Sequence, residues 1–422
     1  MKVLMSCYAC EPDKGSEPGV GWNWALQAAR FAEVWVLTRA NNRSAIEAEL
    51  ARDPVPNLHF VYHDLPRWAR FWKRGSRGVH LYYYLWQLSA IPKIRHLHRT
   101  IGFDLGHHVT FVSFRFPSAL ALLGIPYIWG PVAGAERIPW RFYRELGLPG
   151  AIHEAAHQIH NRFARLDPLV RRTALNAAAI LVVNEATQHA LPGAVHQRCQ
   201  IVSAIGINYE EVNGVACSQA ADGLRLLFVG ALVPRKGVQL ALEAMARLDA
   251  SRGPITLTVV GDGPERAKLQ ALASRLGIDD RVRFLGSLAR SEVMQIYREH
   301  HVLVFPSLRD SGGFAVLEAM AAGLPVICLA LGGPATLVTE DTGFRIPAHT
   351  PGQVVKDLVS AIAYLRDNPE VRRQMGEAAR LRTRNVFCWE QKGDILRELY
   401  RELAALHEEP EDVHTDLTSS QC

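Results

Sequence analysis

Short apolar runs rich in β-branched residues recur along the chain. They lie at residues 2–6, 33–39, 59–65, 104–111, 127–129, 179–184 and 200–207, and again at 224–230, 255–261, 282–286, 302–307 and 325–329. Gly, Pro or polar clusters bound them, so each reads as a strand buried on both faces. Stretches of helix formers separate them. A strand–helix alternation of this kind predicts parallel sheets with helices on both faces. The rhythm breaks once, at the polar stretch 209–223, which reads as a linker. The expectation is therefore an α/β chain of two Rossmann-like, doubly wound domains, 1–207 and 208–388. An amphipathic helix over about 389–405 follows, then a polar, acidic tail at 406–422 that lacks the apolar content to order itself.

Composition narrows the classes. The 422 residues are 48% hydrophobic, enough for two substantial cores. A net charge of +5 is too small to argue for nucleic acid, and no basic reading helix is evident. No run of about 18 apolar residues is free of Gly, Pro and charge, so no membrane span is expected. The first five residues are too short for a signal segment. Seven cysteines include the pair Cys7 and Cys10. No second Cys-x-x-Cys accompanies them, so reduced structural thiols are expected, in keeping with a cytoplasmic chain.

The densest chemistry lies at 310–323, Asp-Ser-Gly-Gly-Phe-Ala-Val-Leu-Glu-Ala-Met-Ala-Ala-Gly. It follows a strand that ends near Pro306. The helix it opens is stopped by Gly323 and Pro325. Gly312 and Gly313 allow a ligand close to the backbone, and the amides of the helix start, through Phe314 and Ala315, suit an anion. Asp310 and Glu318 flank that anion cradle. Amides for phosphate with carboxylates for hydroxyls suit a nucleotide-sugar diphosphate. An ordinary strand-to-helix turn with two solvated acids is the competing reading.

This stretch resembles the signature of glycosyltransferase family 4, retaining transferases with the GT-B fold of two Rossmann-like domains facing a central cleft. The signature has two acidic residues with seven residues between them, then Ala-Met-Ala-x-Gly-x-Pro-Val; here they are Asp310 and Glu318, with Ala319 to Val326 behind. Family members usually carry Glu first, and the glycines here are displaced, so an Asp-Ser-Gly-Gly branch is implied. A second landmark is Gly230-Ala-Leu-Val-Pro-Arg-Lys-Gly237. Lys236 matches the family lysine that holds the donor phosphates. Ala231 replaces its usual arginine, and Arg235 is the candidate substitute. The resemblance implies that Glu318 binds ribose hydroxyls and Asp310 those of the donor sugar. It also implies that Lys236 and the amides near Gly312 offset charge on the leaving diphosphate. No Asp-x-Asp metal motif is present, and neither metal nor cofactor is expected.

The first half matches more weakly. The Gly-rich stretch after the first strand, 11–21, lacks dinucleotide spacing. In the family this loop covers the donor diphosphate, which makes Gly15, Ser16, Glu17 and Gly19 candidates. The resemblance also puts a histidine from an Asp-x-x-His in the cleft. His107 holds that offset. Strand alternation lets at most one of His107 and His108 face the cleft, and His108 is preferred at the uncertain strand end; a pair of hydrogen-bonded core histidines is the competing reading. The loop 130–136, ending in Glu136, is expected to touch the acceptor. Residues 66–77 mix Trp68, Phe71 and Trp72 with five basic residues. They read either as a helix on anionic lipid, a peripheral contact with the inner face of the membrane, or as a helix that packs its aromatics inward.

The reading is a metal-independent transferase that moves a sugar from a nucleoside-diphosphate sugar to an acceptor hydroxyl, which a lipid could carry, in polysaccharide, glycolipid or related glycoconjugate synthesis. A nucleotide-sugar epimerase on the same fold and a catalytically weak nucleotide-sugar-binding subunit are the rivals.

Overall fold

A computed structural model describes residues 1–73, 75, 77–208, 210 and 223–408. Two parallel sheets organise it. The first has seven strands: β1 Lys2–Cys7, β2 Glu33–Thr38, β3 Leu58–Tyr62, β4 Leu105–Thr110, β5 Tyr127–Val132, β6 Ala179–Val182 and β7 Cys199–Ile201. Its order is β3-β2-β1-β4-β5-β6-β7. The second holds β8 Leu224–Val229, β9 Ile255–Val260, β10 Val282–Gly286, β11 Val302–Phe305, β12 Val326–Leu329 and β13 Gly343–Ile346, ordered β10-β9-β8-β11-β12-β13. In both sheets the order reverses beside the first strand, and the crevice there opens at the carboxyl ends of the strands. Every residue of β4, β5, β6, β11 and β12 is buried, as strands covered by helices on both faces must be.

Several boundaries depart from the sequence pattern, and the strand Gly343–Ile346 was not among the expected ones. The strand expected at 200–207 stops at Ile201, and Ile207 bridges instead to Cys388. The first helix, Ser16–Ala29, begins inside the Gly-rich stretch rather than after it. Pro18 is tolerated in a first turn, where its missing N–H has no helical partner to lose. Gly19 and Gly21 are there for contact. A Cβ at Gly19 would lie 2.0 Å from Lys14 O, and one at Gly21 2.1 Å from Ala9 O. The last helix, Trp389–Glu408, runs past its expected end at 405. The expected linker 209–223 and the remaining tail, 409–422, lie almost wholly outside the described residues.

That last helix packs on the first sheet's side of the molecule. Tyr400 Oη is 2.8 Å from His107 Nδ1, and Lys392 Nζ donates to Ser203 O at 2.6 Å. The Lys392 ammonium is fully enclosed, and burial pulls its pKa down to about 7.

The described residues of 66–77 form no regular helix, so neither helical reading holds for them. A single tight turn spans Arg67–Ala69, and Trp68 and Phe71 stand 79% and 78% exposed. Trp72 alone turns inward, onto Tyr82. Arg74 and Ser76 lie outside the described residues. Cys7 and Cys10 are buried free thiols, and burial pushes both up from the ordinary thiol range. A thiol held protonated in this way is a poor nucleophile or metal ligand. Among the described residues, no helix is long and apolar enough to cross a membrane.

Candidate active-site cleft

The carboxyl ends of the two sheets face a cleft of about 940 Å³. Gly15, Ser16, Glu17, Arg235, Lys236, Asp310, Gly312, Phe314, Ala315 and Glu318 all line it. The second sheet contributes the charged floor. β11 ends at Phe305, and the chain then loops through Asp310 into the helix Phe314–Ala321. Gly313 has φ 74°, and this left-handed turn lets the helix start at once.

Asp310 organises the loop. Its Oδ1 accepts from the amides of Gly312 at 3.1 Å and Gly313 at 2.8 Å, and its Oδ2 pairs with Lys236 Nζ. Burial alone would raise this carboxyl. The Lys236 ammonium, its hydrogen bond and the Gly313 amide outweigh burial and hold it below the ordinary value. The expected anion cradle is corrected accordingly. The amides of Gly312 and Gly313 are occupied by Asp310, and Gly313 does not line the cleft. By helix geometry the amides of Phe314 and Ala315 have no intrahelical acceptor and remain for a ligand. Glu318 accepts from Arg290 Nε at 3.4 Å and Tyr297 Oη at 3.3 Å. Arg235 turns into the cleft, with Nη1 donating to Arg309 O at 3.1 Å.

The first sheet's wall differs from its expectation. His107 and His108 are both buried in β4, one on each face, and neither lines the cleft. His107 lies between Tyr400 Oη and Gly130 O, each at 2.8 Å. His108 lies between Tyr83 Oη at 3.1 Å and Ser118 Oγ at 2.9 Å. Burial lowers their pKa values to about 4 and about 3. The reason is position: both side chains leave a central strand before it ends, so helices cover them. Gly19 is likewise a packing residue and does not line the cleft.

Other residues form that wall. Arg115, from the loop after β4, and His153, His157 and His160, from the helix Gly147–Leu166, line it together with His80. Arg115 donates from Nε to Ser113 Oγ at 3.1 Å and lies 3.4 Å from His157 Nδ1. Burial, then the Arg309 and Arg115 guanidinium groups, pull His157 down to about 3. The helical spacing 153–157–160 was the available signal for these histidines, but it looks the same for a solvated face.

Two carboxylates of the first half cross to the β11 loop. Glu136 Oε2 accepts from Ser311 Oγ at 2.9 Å while its Oε1 accepts from Asn184 Nδ2 at 2.6 Å. Glu154, buried, pairs with Arg309. Glu17 accepts from the Val112 amide, yet burial raises its carboxyl to about 7. The cleft thus holds a group that exchanges a proton near neutral pH.

Residues 218–382 match the family model described as "Glycosyl transferases group 1". The chain is 35% identical over 190 residues to a D-inositol 3-phosphate glycosyltransferase of Kribbella flavida, covering 43% of this chain and 44% of the relative. It is 30% identical over 264 residues to a 2-deoxystreptamine glucosyltransferase of Streptomyces kanamyceticus, covering 60% and 64%. The chain spans about half the length of the curated relatives it matches. Among solved structures, Anabaena Alr3699/HepE in complex with UDP superposes with a TM-score of 0.64 at 17% identity, over 95% of this chain and 100% of that one. The lipopolysaccharide outer core galactosyltransferase WaaB gives 0.63 at 13% identity, over 95% and 100%. At these identities the likeness is one of fold: the chain has the GT-B fold.

Proposed function

We propose that this chain is a retaining glycosyltransferase of family 4, in the Asp-Ser-Gly-Gly branch, moving a sugar from a nucleoside-diphosphate sugar to an acceptor hydroxyl in polysaccharide, glycolipid or related glycoconjugate synthesis. One observation carries the reading. Lys236, Arg235 and the free amides of the helix Phe314–Ala321 all line one side of one cleft, within the stretch that matches glycosyl transferases group 1. Cations and a helix start aimed at one place suit a diphosphate, whose negative charge grows as it leaves the sugar. In this reading Lys236 and Arg235 take the diphosphate and Glu318 the ribose. Asp310 shares its oxygens between Lys236 and a sugar hydroxyl. Residues 208–388 hold the donor, 1–207 face the acceptor, and 389–405 tie the two together. The free thiols fit a cytoplasmic chain, and exposed Trp68 and Phe71 beside Arg67 and Arg70 suit contact with anionic lipid.

The test takes UDP as ligand, because UDP occupies the cited Anabaena structure. A hydrogen bond to a charged group contributes about 1.5–3 kcal/mol. Glu318→Ala is therefore expected to weaken UDP binding by roughly tenfold to a hundredfold in calorimetry, with the melting curve little changed. Unchanged affinity would remove Glu318 from the site.

A further inference from the structure

The helix Gly147–Leu166 has two faces with different work. One lines the cleft through His153 and His157 and buries Glu154, Asn161 and Ala164. The other shows Leu148, Ile152, Ile159, Phe163 and Leu166 to solvent, each between 57% and 76% exposed. At 100° per residue these five side chains fall within an arc of about 60°, and they run along about 27 Å of helix. Five large apolar side chains in one row are not the scattered exposure an ordinary surface carries. Trp140, just before the helix, is 76% exposed. The helix Val79–Ile101 meets this helix and its end, where Tyr84 Oη donates to Asp167 Oδ2 at 2.9 Å and the His80 and His160 rings lie 5.7 Å apart, and it shows Leu81 to solvent.

From Arg137 to Leu166 the exposed charges are all cationic, and the part-buried Asp167 beyond them accepts from Tyr84. Arg137, Arg141, Arg144, Arg162 and Arg165 are exposed. Between Arg137 and Leu166 no carboxylate is exposed: Glu145 is half-buried and Glu154 is buried against Arg309. A long apolar row with exposed arginines along its helix and in the segment before it is matched by a surface that is apolar inside and anionic outside. We propose that this face docks on an anionic lipid bilayer, with Leu148, Ile152, Ile159, Phe163 and Leu166 in the acyl boundary and the arginines at the headgroups. The docking stands apart from the proposed chemistry. Taken together with it, the same helix brings the acceptor wall of the cleft to the membrane, so the acceptor is a hydroxyl borne by a lipid.

Flotation with phosphatidylcholine vesicles, with and without phosphatidylglycerol, tests this. The full chain is expected to float with the anionic vesicles at low salt, and salt is expected to release it. Replacing Leu148, Ile152, Ile159, Phe163 and Leu166 with Gln should lower partitioning by about tenfold or more, with an unchanged melting curve because the side chains are exposed. Arg162→Gln with Arg165→Gln should erase most of the preference for anionic over neutral vesicles. Three results would each overturn the proposal: wild type that ignores anionic vesicles, a row variant that floats like wild type, or a row variant that only splits a stable dimer of this chain. UDP affinity, measured on the same variants, reports separately on the cleft.

Discussion

The loop after β11 and the end of β4 occupy equivalent places in the two sheets, and both carry polar residues that sequence reasoning assigned to the cleft. Only the first puts its side chains there. Asp310 lies five positions beyond Phe305, the last residue of β11. His108 and His107 lie two and three positions before Thr110, the last residue of β4. A few residues of register separate a ligand-facing group from a core group. Inside a central parallel strand every side chain meets a helix, whatever its chemistry. Past the strand end the chain turns over the sheet edge and the side chain is free to face a ligand.

The sharpest way to break that contrast is Lys236→Ala. In the proposed chemistry the ammonium opposes charge that grows on the leaving diphosphate, so it lowers the barrier more than it tightens ground-state binding. Removing one preorganised stabiliser of this kind costs on the order of 10²–10³ in turnover. A loss of that size in kcat for sugar transfer is expected, with a smaller change in donor affinity. Asp310 keeps the Gly312 and Gly313 amides in the variant but loses its cation, so a lower melting temperature is expected too, and turnover is compared where the variant is folded. Near wild-type turnover would mean that the floor of the cleft is no more chemical than β4.

His107→Ala tests the other side. The substitution removes a buried ring and strands Tyr400 Oη and Gly130 O, which it joins. A cavity with two unpaired polar atoms costs roughly 2–4 kcal/mol of stability. The melting temperature should fall while UDP affinity at low temperature holds. The sign with pH follows from the depressed pKa. His107 titrates at about 4 folded, below its ordinary 6.5. Its contribution is present above pH 6.5 and lost as pH falls toward 4, so wild type and variant should converge in acid. His157→Ala is the counterpart: a small change in melting and a change in the rate of transfer. If His107→Ala instead abolishes transfer with no loss of stability, β4 reaches the cleft after all.

This contrast also explains what could be read in the sequence. The strand rhythm and the Asp310–Glu318 spacing are written in consecutive residues, because a strand, its loop and the next helix follow one another in the chain. The role of Asp310 as acceptor for its own loop's amides was not legible. It depends on a side-chain rotamer, not on spacing. Nor were Arg115 and His157 marked as neighbours, since they are 42 residues apart and meet only when the helix Gly147–Leu166 folds over the loop after β4. The inward turn of His107 and His108 was open to inference from strand register alone, had the end of β4 been fixed at Thr110.

Glu17 gives the smallest effect and the finest test, because it belongs to the first sheet yet behaves like Asp310. It lies ten positions beyond Cys7, the last residue of β1, in the first turn of the helix Ser16–Ala29. It should therefore face the cleft, and it lines it. Its environment differs from that of Asp310: among the described residues no cation pairs with it, and burial raises its carboxyl from 4.5 to about 7 despite the Val112 amide. A raised carboxyl stabilises the fold fully only below pH 4.5, where both states are protonated. Between 4.5 and about 7 the unfolded chain has released its proton while the folded one still holds it, so stability falls with rising pH. The carboxyl is half-buried and partly screened by solvent, which limits the fall to on the order of 1–2 kcal/mol. Glu17→Gln removes this term. The difference in unfolding free energy between variant and wild type should grow from pH 4.5 to 7 and then level off, as followed by denaturant titration. A flat difference would mean that Glu17 titrates like a solvated acid, and that distance past the strand end places a side chain in the cleft without enclosing it there.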